Sequence, residues 1–153
     1  MIKRKYSRKI KIIKDVSFLI SFFILCYSFL NHNTNSQQKI SSEIVEKCYD
    51  GDTCTTESGE KIRLACIDAP EIRGKNADPL KAKASREFIN NLLSNKKVTI
   101  KRIDTDRYGR TVAEIFLEGK NIQKLMIKNG FAKIHRKYFF HCDWTYKMEK
   151  VFG

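Results

Sequence analysis

The 153-residue chain lacks the marks of several protein classes. Its five cysteines and three histidines include no C-x-x-C and no paired histidines, so they match no zinc-binding pattern. No internal repeat is visible. The uncharged apolar run at residues 16–30 would span about 22 Å as a helix, short of the ~30 Å hydrocarbon core of a bilayer. Negative charge is also scarce: 17 Asp and Glu face 30 Lys and Arg, a net charge of +13. Such a balance suits a protein that approaches a polyanion. Membrane-surface attraction and plain solubility are the competing readings.

The apolar run follows seven cations (Lys3, Arg4, Lys5, Arg8, Lys9, Lys11 and Lys14) and precedes a polar stretch at residues 31–38. This is the layout of an export signal. No A-x-A follows it, and Thr34-Asn35-Ser36 is the best small-residue candidate for cleavage. Residues 1–36 are therefore read as a signal peptide or as an uncleaved anchor with its positive end cytoplasmic. The product is secreted or periplasmic, or tethered to the membrane by residues 16–30. Residues 37–44 read as a linker and residues 45–153 as the folded domain. Without the seven cations and one acid before residue 37, the remainder keeps 23 Lys and Arg against 16 Asp and Glu. It also keeps Cys48, Cys54, Cys66 and Cys142. Export permits disulfides, while apolar surroundings equally suit small buried thiols; both readings stay open.

Alternation and turn residues predict strands over residues 43–49, 53–56 and 61–67, the last with Ile62, Leu64 and Cys66 on one face and Pro70 as its stop. Asp78-Pro79 starts a helix running to about Asn95, with Ala84, Phe88, Ile89, Leu92 and Leu93 as its apolar stripe. Strands follow at 98–103 and 111–117, joined by a loop at 104–110. A short helix starts at Asn121 and is closed by Asn129-Gly130. Residues 131–135 are extended. Asp143 caps a last helix at 144–152, about two turns long and too short to hold without tertiary packing. The fold class is α+β, a small curled antiparallel barrel with helices at one side.

The chemistry is concentrated in Asp50-Gly51-Asp52-Thr53, in Arg63-Leu64-Ala65-Cys66-Ile67-Asp68-Ala69-Pro70-Glu71, and in Asp106-Arg107-Tyr108-Gly109-Arg110. Asp50-Gly51-Asp52 alone is an ordinary turn. A site requires that loop to meet the Asp68 loop. Carboxylates brought that close repel one another unless a cation lies between them. An all-oxygen donor set suits Ca²⁺ or Mg²⁺. Ala69 precedes proline, so it is extended and its carbonyl offers a further ligand. The guanidinium forks of Arg63 and Arg110 match a phosphate. Arg63 and Asp68 have opposite strand parity, so they converge only if the chain leaves the ladder before Asp68.

In order and spacing, these segments resemble the staphylococcal-type thermonucleases, calcium-dependent nucleases built on an OB-fold barrel. The likeness runs from about residue 45 to 138 and includes Asn129-Gly130-Phe131-Ala132. It implies a five-stranded OB-fold-like β-barrel with flanking helices, following the export segment. It further implies that Asp52, Asp68 and the Ala69 carbonyl hold Ca²⁺ with Asp50 close by. Glu71 would position or deprotonate the attacking water, and Arg63 and Arg110 would hold the scissile phosphate. Arg107, Tyr108 and Tyr138 would contact the nucleotide. Arg136 stands where a second tyrosine is common in that family. The expected protein is a monomeric, exported, Ca²⁺-dependent nuclease cleaving DNA and RNA with little sequence preference. Its rivals are a non-catalytic nucleic-acid-binding OB module and a membrane-tethered interaction protein.

Overall fold

The computed structural model describes residues 39–152. The expected export segment, residues 1–36, lies outside them. Among the described residues, five strands close into a barrel and three helices flank it. The first strand, β1 (Ile40–Cys48), starts earlier than expected. Residues 40–44, read from sequence as linker, pair antiparallel with β5 (Lys97–Thr105) from Ile40↔Lys101 to Ile44↔Lys97. A polar alternating stretch reads as linker, yet it supplies half of a strand whose other half pairs with β2 (Thr53–Thr56). The register shifts between Val45 and Lys47, where β1 turns from one partner to the other. An extra residue of this kind bends a strand and sharpens its twist.

β2 pairs antiparallel with β3 (Lys61–Leu64), and β5 pairs with β6 (Thr111–Leu117), again with a shift between Arg102 and Asp104. β3 then meets β6 in parallel, from Ile62↔Thr111 to Leu64↔Ala113, which closes the barrel. Glu60 pins this seam: it accepts from Arg102 Nε at 2.8 Å and from Thr111 Oγ1 at 2.7 Å. Those partners hold its carboxyl below the ordinary range, with Arg102 the main cause.

The third strand ends three residues before the expected Ile67. Cys66 takes a left-handed conformation, φ 65°, and the chain leaves the ladder there. Ile67–Asp68 form a separate short strand, β4, beside β8 (Lys133–Ile134). Between β6 and the second helix, Lys120–Asn121 add a short strand, β7, to the sheet edge.

Helix α1 (Pro79–Leu93) starts as expected, with Asp78 Oδ1 accepting the Lys81 amide at 3.0 Å, a cap worth about 1 kcal/mol. Its buried stripe is Ala82, Ser85, Ile89 and Leu93, with Phe88 and Leu92 partly covered. Ala84, expected in the stripe, is exposed. Ile89 and Leu93 join Val45, Ile62, Leu64, Val98, Ile100, Ala113 and Ile115 in the barrel core, each of the Val, Leu and Ile side chains contributing about 1.5–3 kcal/mol. Helix α2 (Ile122–Lys128) is capped by Asn121 and adds Ile122 and Met126 to that core.

The last helix, α3 (Thr145–Phe152), has Trp144 and not Asp143 ahead of its first turn; Met148 N–H bonds the Trp144 carbonyl at 3.2 Å. Two fixtures hold this short helix. A disulfide joins Cys66 to Cys142. The buried Trp144 indole donates to Glu114 Oε1, which also accepts from Asn121 Nδ2 at 2.9 Å. Lys101 Nζ stands 3.2 Å from Glu114 Oε2, so this buried carboxylate is both paired and hydrogen-bonded. A second disulfide joins Cys48 to Cys54, opposite each other on β1 and β2. The four domain cysteines are therefore all bonded, which resolves the choice left open by sequence.

Candidate active site

The Asp50–Asp52 loop lies between the bonded Cys48 and Cys54. Tyr49 N–H closes it onto the Thr53 carbonyl at 2.9 Å, and Asp52 N–H bonds Asp50 Oδ1 at 3.0 Å. Gly51 is required by space. A Cβ there would lie 1.9 Å from Ser85 Oγ and 2.6 Å from Ala69 Cβ. The bare backbone lets helix α1 and the strap after β4 press onto the loop, so the two acidic loops do meet. The Ala69 amide donates to Asp52 Oδ2 at 2.9 Å.

Asp52 is 6% exposed. Besides the Ala69 amide, its carboxyl faces Arg63 Nη2 at 3.1 Å and the Thr53 hydroxyl at 3.3 Å. Burial pushes its pKa up to about 7, with Asp50 adding to the rise and Arg63 and the Ala69 amide opposing it. This oxygen pair therefore carries less negative charge than it would with a cation beside it.

Arg63 reaches this carboxyl because the chain turns at Cys66. Its guanidinium spans that turn, donating to the Leu64 carbonyl at 2.7 Å and the Ile67 carbonyl at 3.0 Å. The parity conflict with Asp68 thus disappears, since β3 and β4 belong to different ladders. Asp68 itself points to Lys133, with Nζ 3.2 Å from Oδ2.

Arg110 arrives from the loop between β5 and β6. Asp106 builds that loop: its Oδ1 accepts the amides of Tyr108 at 2.9 Å and Arg110 at 3.0 Å, and Gly109 supplies the positive φ of 76°. Asp106 Oδ2 takes Arg110 Nε at 2.7 Å. Desolvation works against its charge, but these amides and Arg110 outweigh it and hold its carboxyl below the ordinary range. Arg110 Nη1 then reaches Thr53 Oγ1 at 3.2 Å. The Thr53 hydroxyl joins Arg110 on one side to Asp52 on the other.

Sequence reasoning assigned no role to Thr53 or Asp106. Both lie inside the quoted motifs, and the Asp-x-x-Gly turn is the local signal for Asp106.

The remaining predicted residues lie further out. Tyr108 is exposed, with the Arg107 and Arg110 guanidinium carbons 4.7 and 5.5 Å from its ring centre. Tyr138 is exposed after β8. Glu71 is exposed on the segment before α1. Its carbonyl accepts the Asp78 amide at 3.0 Å, and among the described residues its carboxylate has no hydrogen-bond or ion-pair partner. Among the described residues, no three Asp, Glu, His or Cys side chains converge closely enough to hold an ion by themselves. Asp50 and Asp52 are adjacent, while Asp68 is turned to Lys133.

A closed five-stranded barrel flanked by three helices is consistent with an OB-type α+β domain, and here it carries Arg63 on the buried Asp52 and Arg110 on the neighbouring Thr53. The profile of the family described as "Staphylococcal nuclease homologue" matches residues 61–150. The chain belongs to that family. An "Uncharacterized endonuclease" of Haemophilus influenzae is 33% identical over 124 residues, covering 78% of this chain and 65% of that protein. An "Uncharacterized endonuclease" of Escherichia coli is 30% identical over 132 residues, covering 84% of this chain and 75% of its own length. The "Thermonuclease" of Staphylococcus intermedius is 27% identical over 126 residues, 74% of each chain.

Proposed function

We propose that this chain is a Ca²⁺-dependent nuclease that hydrolyses phosphodiester bonds of DNA and RNA with little sequence preference. One observation carries the reading: the Asp52-Thr53 pair gathers two guanidinium groups from distant parts of the chain, Arg63 on Asp52 and Arg110 on Thr53. Two fixed forks beside a buried carboxylate match the oxygens of a single phosphate. The names of the relatives point the same way.

A hard divalent cation fits the donors present. They are all oxygen, and the Asp52 carboxyl, desolvated and crowded by Asp50, is the kind of group whose charge a cation restores. Asp52, Asp68 and the Ala69 carbonyl would hold it, with Asp50 close by and Asp68 released from Lys133. When bound, the ion would supply Lewis acidity toward a phosphoryl oxygen.

The protein's own groups do the rest. Carbonyls of the Cys66 turn and Asp106 fix Arg63 and Arg110 before substrate arrives, so little reorganisation is needed as charge grows on the phosphate. Glu71, exposed and without a side-chain partner among the described residues, is available to orient a water and take its proton. Contacts aimed at phosphates and not at base edges carry no sequence information. The two disulfides support an exported protein, because such bonds persist in oxidising compartments. Residues 1–36 would deliver it there as a cleaved signal or as a membrane anchor.

The test is Asp52→Ala and Asp68→Ala, each assayed for Ca²⁺ binding by calorimetry and for cleavage of single-stranded DNA. Loss of both properties in both variants is expected. Variants that cleave at the parental rate would overturn the reading.

A further inference from the structure

A buried cysteine in a left-handed turn is uncommon, and here it stands beside the candidate site. Among the described residues three non-glycines have positive φ: Cys66, Asn95 and Glu118. Asn95 and Glu118 are exposed, after a helix and in a tight turn, whereas Cys66 is 4% exposed. Glycine takes this conformation freely, while a side chain keeps it only where its surroundings enforce it. The enforcement matters to Arg63. This turn brings the Leu64 and Ile67 carbonyls onto one guanidinium, at 2.7 and 3.0 Å.

Three contacts hold the turn. On the barrel side the Ala65 amide donates to the Ala113 carbonyl at 2.8 Å. On the other side the Cys66 carbonyl accepts the His135 amide at 2.9 Å, just past β8. The third contact is the bond to Cys142, and the second depends on it. β8 has only two residues, and no residue from Arg136 to His141 is buried. Cys142, 1% exposed, is where that segment is next fixed to the core. Without the bond the His135 amide has no anchor beyond β8, and the Cys66 turn is free to relax to an ordinary φ.

We propose that the Cys66–Cys142 bond is a positioning device for Arg63, which makes cleavage conditional on oxidation of this pair. With the bond broken the chain keeps its barrel and binds substrate, but turns it over slowly. A dithiol reductant breaks the bond by thiol–disulfide exchange. One of its thiolates attacks a sulfur of the pair, and its second thiolate then displaces the mixed disulfide. Two electrons pass to the pair, the reductant's two protons end on the Cys66 and Cys142 thiols, and the reductant leaves as a cyclic disulfide. Formation runs in reverse, with a disulfide oxidant taking the two electrons. Buried sulfurs are closed to this exchange in the folded chain. The state is therefore set where the chain folds, slow in a reducing compartment and active in an oxidising one. The effect on cleavage rests on the nuclease reading, whereas the hold on Arg63 is separable from it.

The experiment compares the oxidised full chain with two bond-free variants, Cys66→Ala with Cys142→Ala and Cys66→Gly with Cys142→Ala. Single-stranded DNA cleavage with Ca²⁺ is measured in sucrose, which favours the folded chain, and kcat is divided by the fraction folded from circular dichroism. The alanine pair is expected to lose kcat about 10²-fold, as for one lost transition-state donor, with KM changing less. The glycine pair, which takes the turn without the bond, is expected to recover most of that loss. A parental kcat in the alanine pair overturns the proposal, as does an equal loss in both pairs. Should the alanine pair not fold, the glycine pair decides alone: a near-parental kcat supports the proposal and a 10²-fold loss overturns it. Arginine-selective ¹⁵N NMR reads Arg63 without cleavage, its Nη signals being those absent from Arg63→Lys. They are expected to be resolved in the parent and the glycine pair and averaged in the alanine pair; resolved signals in all three overturn the proposal. Signals that follow the turn in a parent that does not cleave keep the positioning role and remove the nuclease. Cleavage independent of the bond removes the proposal alone.

Discussion

The Cys66–Cys142 disulfide should contribute more to stability than any other single feature outside the core. It closes a loop of 76 residues in sequence, which on the chain-entropy account corresponds to about 4–5 kcal/mol at room temperature. The Cys48–Cys54 bond closes 6 residues and corresponds to about 2 kcal/mol on the same account. A domain of this size holds only about 5–15 kcal/mol in total. The larger loop also anchors α3, whose two turns would fray without Trp144 and Met148 against the core. The perturbation is therefore Cys66→Ala with Cys142→Ala, compared with Cys48→Ala with Cys54→Ala. All four residues are buried, so the lost packing is similar in the two pairs. Urea unfolding followed by tryptophan fluorescence reads the difference directly, because Trp144 is the chain's one tryptophan. The first pair should lose at least about 2 kcal/mol more than the second. Equal losses, or a larger loss from the short loop, would refute the assignment of the C-terminal staple.

Three further outcomes follow from the site. Arg63→Lys and Arg110→Lys keep the charge but lose the fork, so kcat should fall by roughly 10² or more in steady-state cleavage assays, with KM changing less. In excess chelator, stability should fall as pH rises from 3.8 towards about 7, because the unfolded chain releases the Asp52 proton first while the folded chain retains it. The full effect is about 4 kcal/mol at most, and urea midpoints of Asp52→Asn should lack this slope. Gly51→Ala should destabilise by about 1–3 kcal/mol, since the added Cβ meets both Ser85 and Ala69; a parental melting temperature would show that the loops are not closely packed.

Much of the fold was legible because turn residues mark its edges. Thr53–Thr56, Thr111–Leu117 and the Pro79 start lie beside Gly51, Gly109 and Asp78, and all three appear at the expected positions. The end of β3 was not legible. Ile62, Leu64 and Cys66 continue an apolar alternation, while the left-handed turn at Cys66 carries no glycine or asparagine to announce it. The helix stripe was legible in Phe88, Ile89, Leu92 and Leu93 and failed only at Ala84, because hydropathy does not distinguish it from Ala82, which is the alanine that is buried, beside Ser85 and its bond to the Phe131 carbonyl at 2.8 Å. Residues 40–44 look like a linker because their apolar content is low, yet their backbone pairing with β5 suffices to make them a strand. At the site, the motifs required the Asp50–Asp52 loop to meet the Asp68 loop, and the Ala69 amide on Asp52 places the two in contact; the pairing of Arg63 with Asp52 was not read from the sequence. The bridging role of Thr53 depends on the distance between β2 and the Arg110 loop, which only the closed barrel sets. The disulfide pairing had no sequence signal, since four cysteines allow three connectivities.

The central claim is that an oxygen-ligated cation and two preset arginines cleave phosphodiesters here. Cleavage of a labelled single-stranded oligonucleotide by the purified full chain, followed in parallel with added Ca²⁺ and with excess chelator, tests it most directly. The account predicts turnover that appears with Ca²⁺, disappears with chelator, and returns when Ca²⁺ is restored. Full activity in the chelated sample, or none in either, would contradict it.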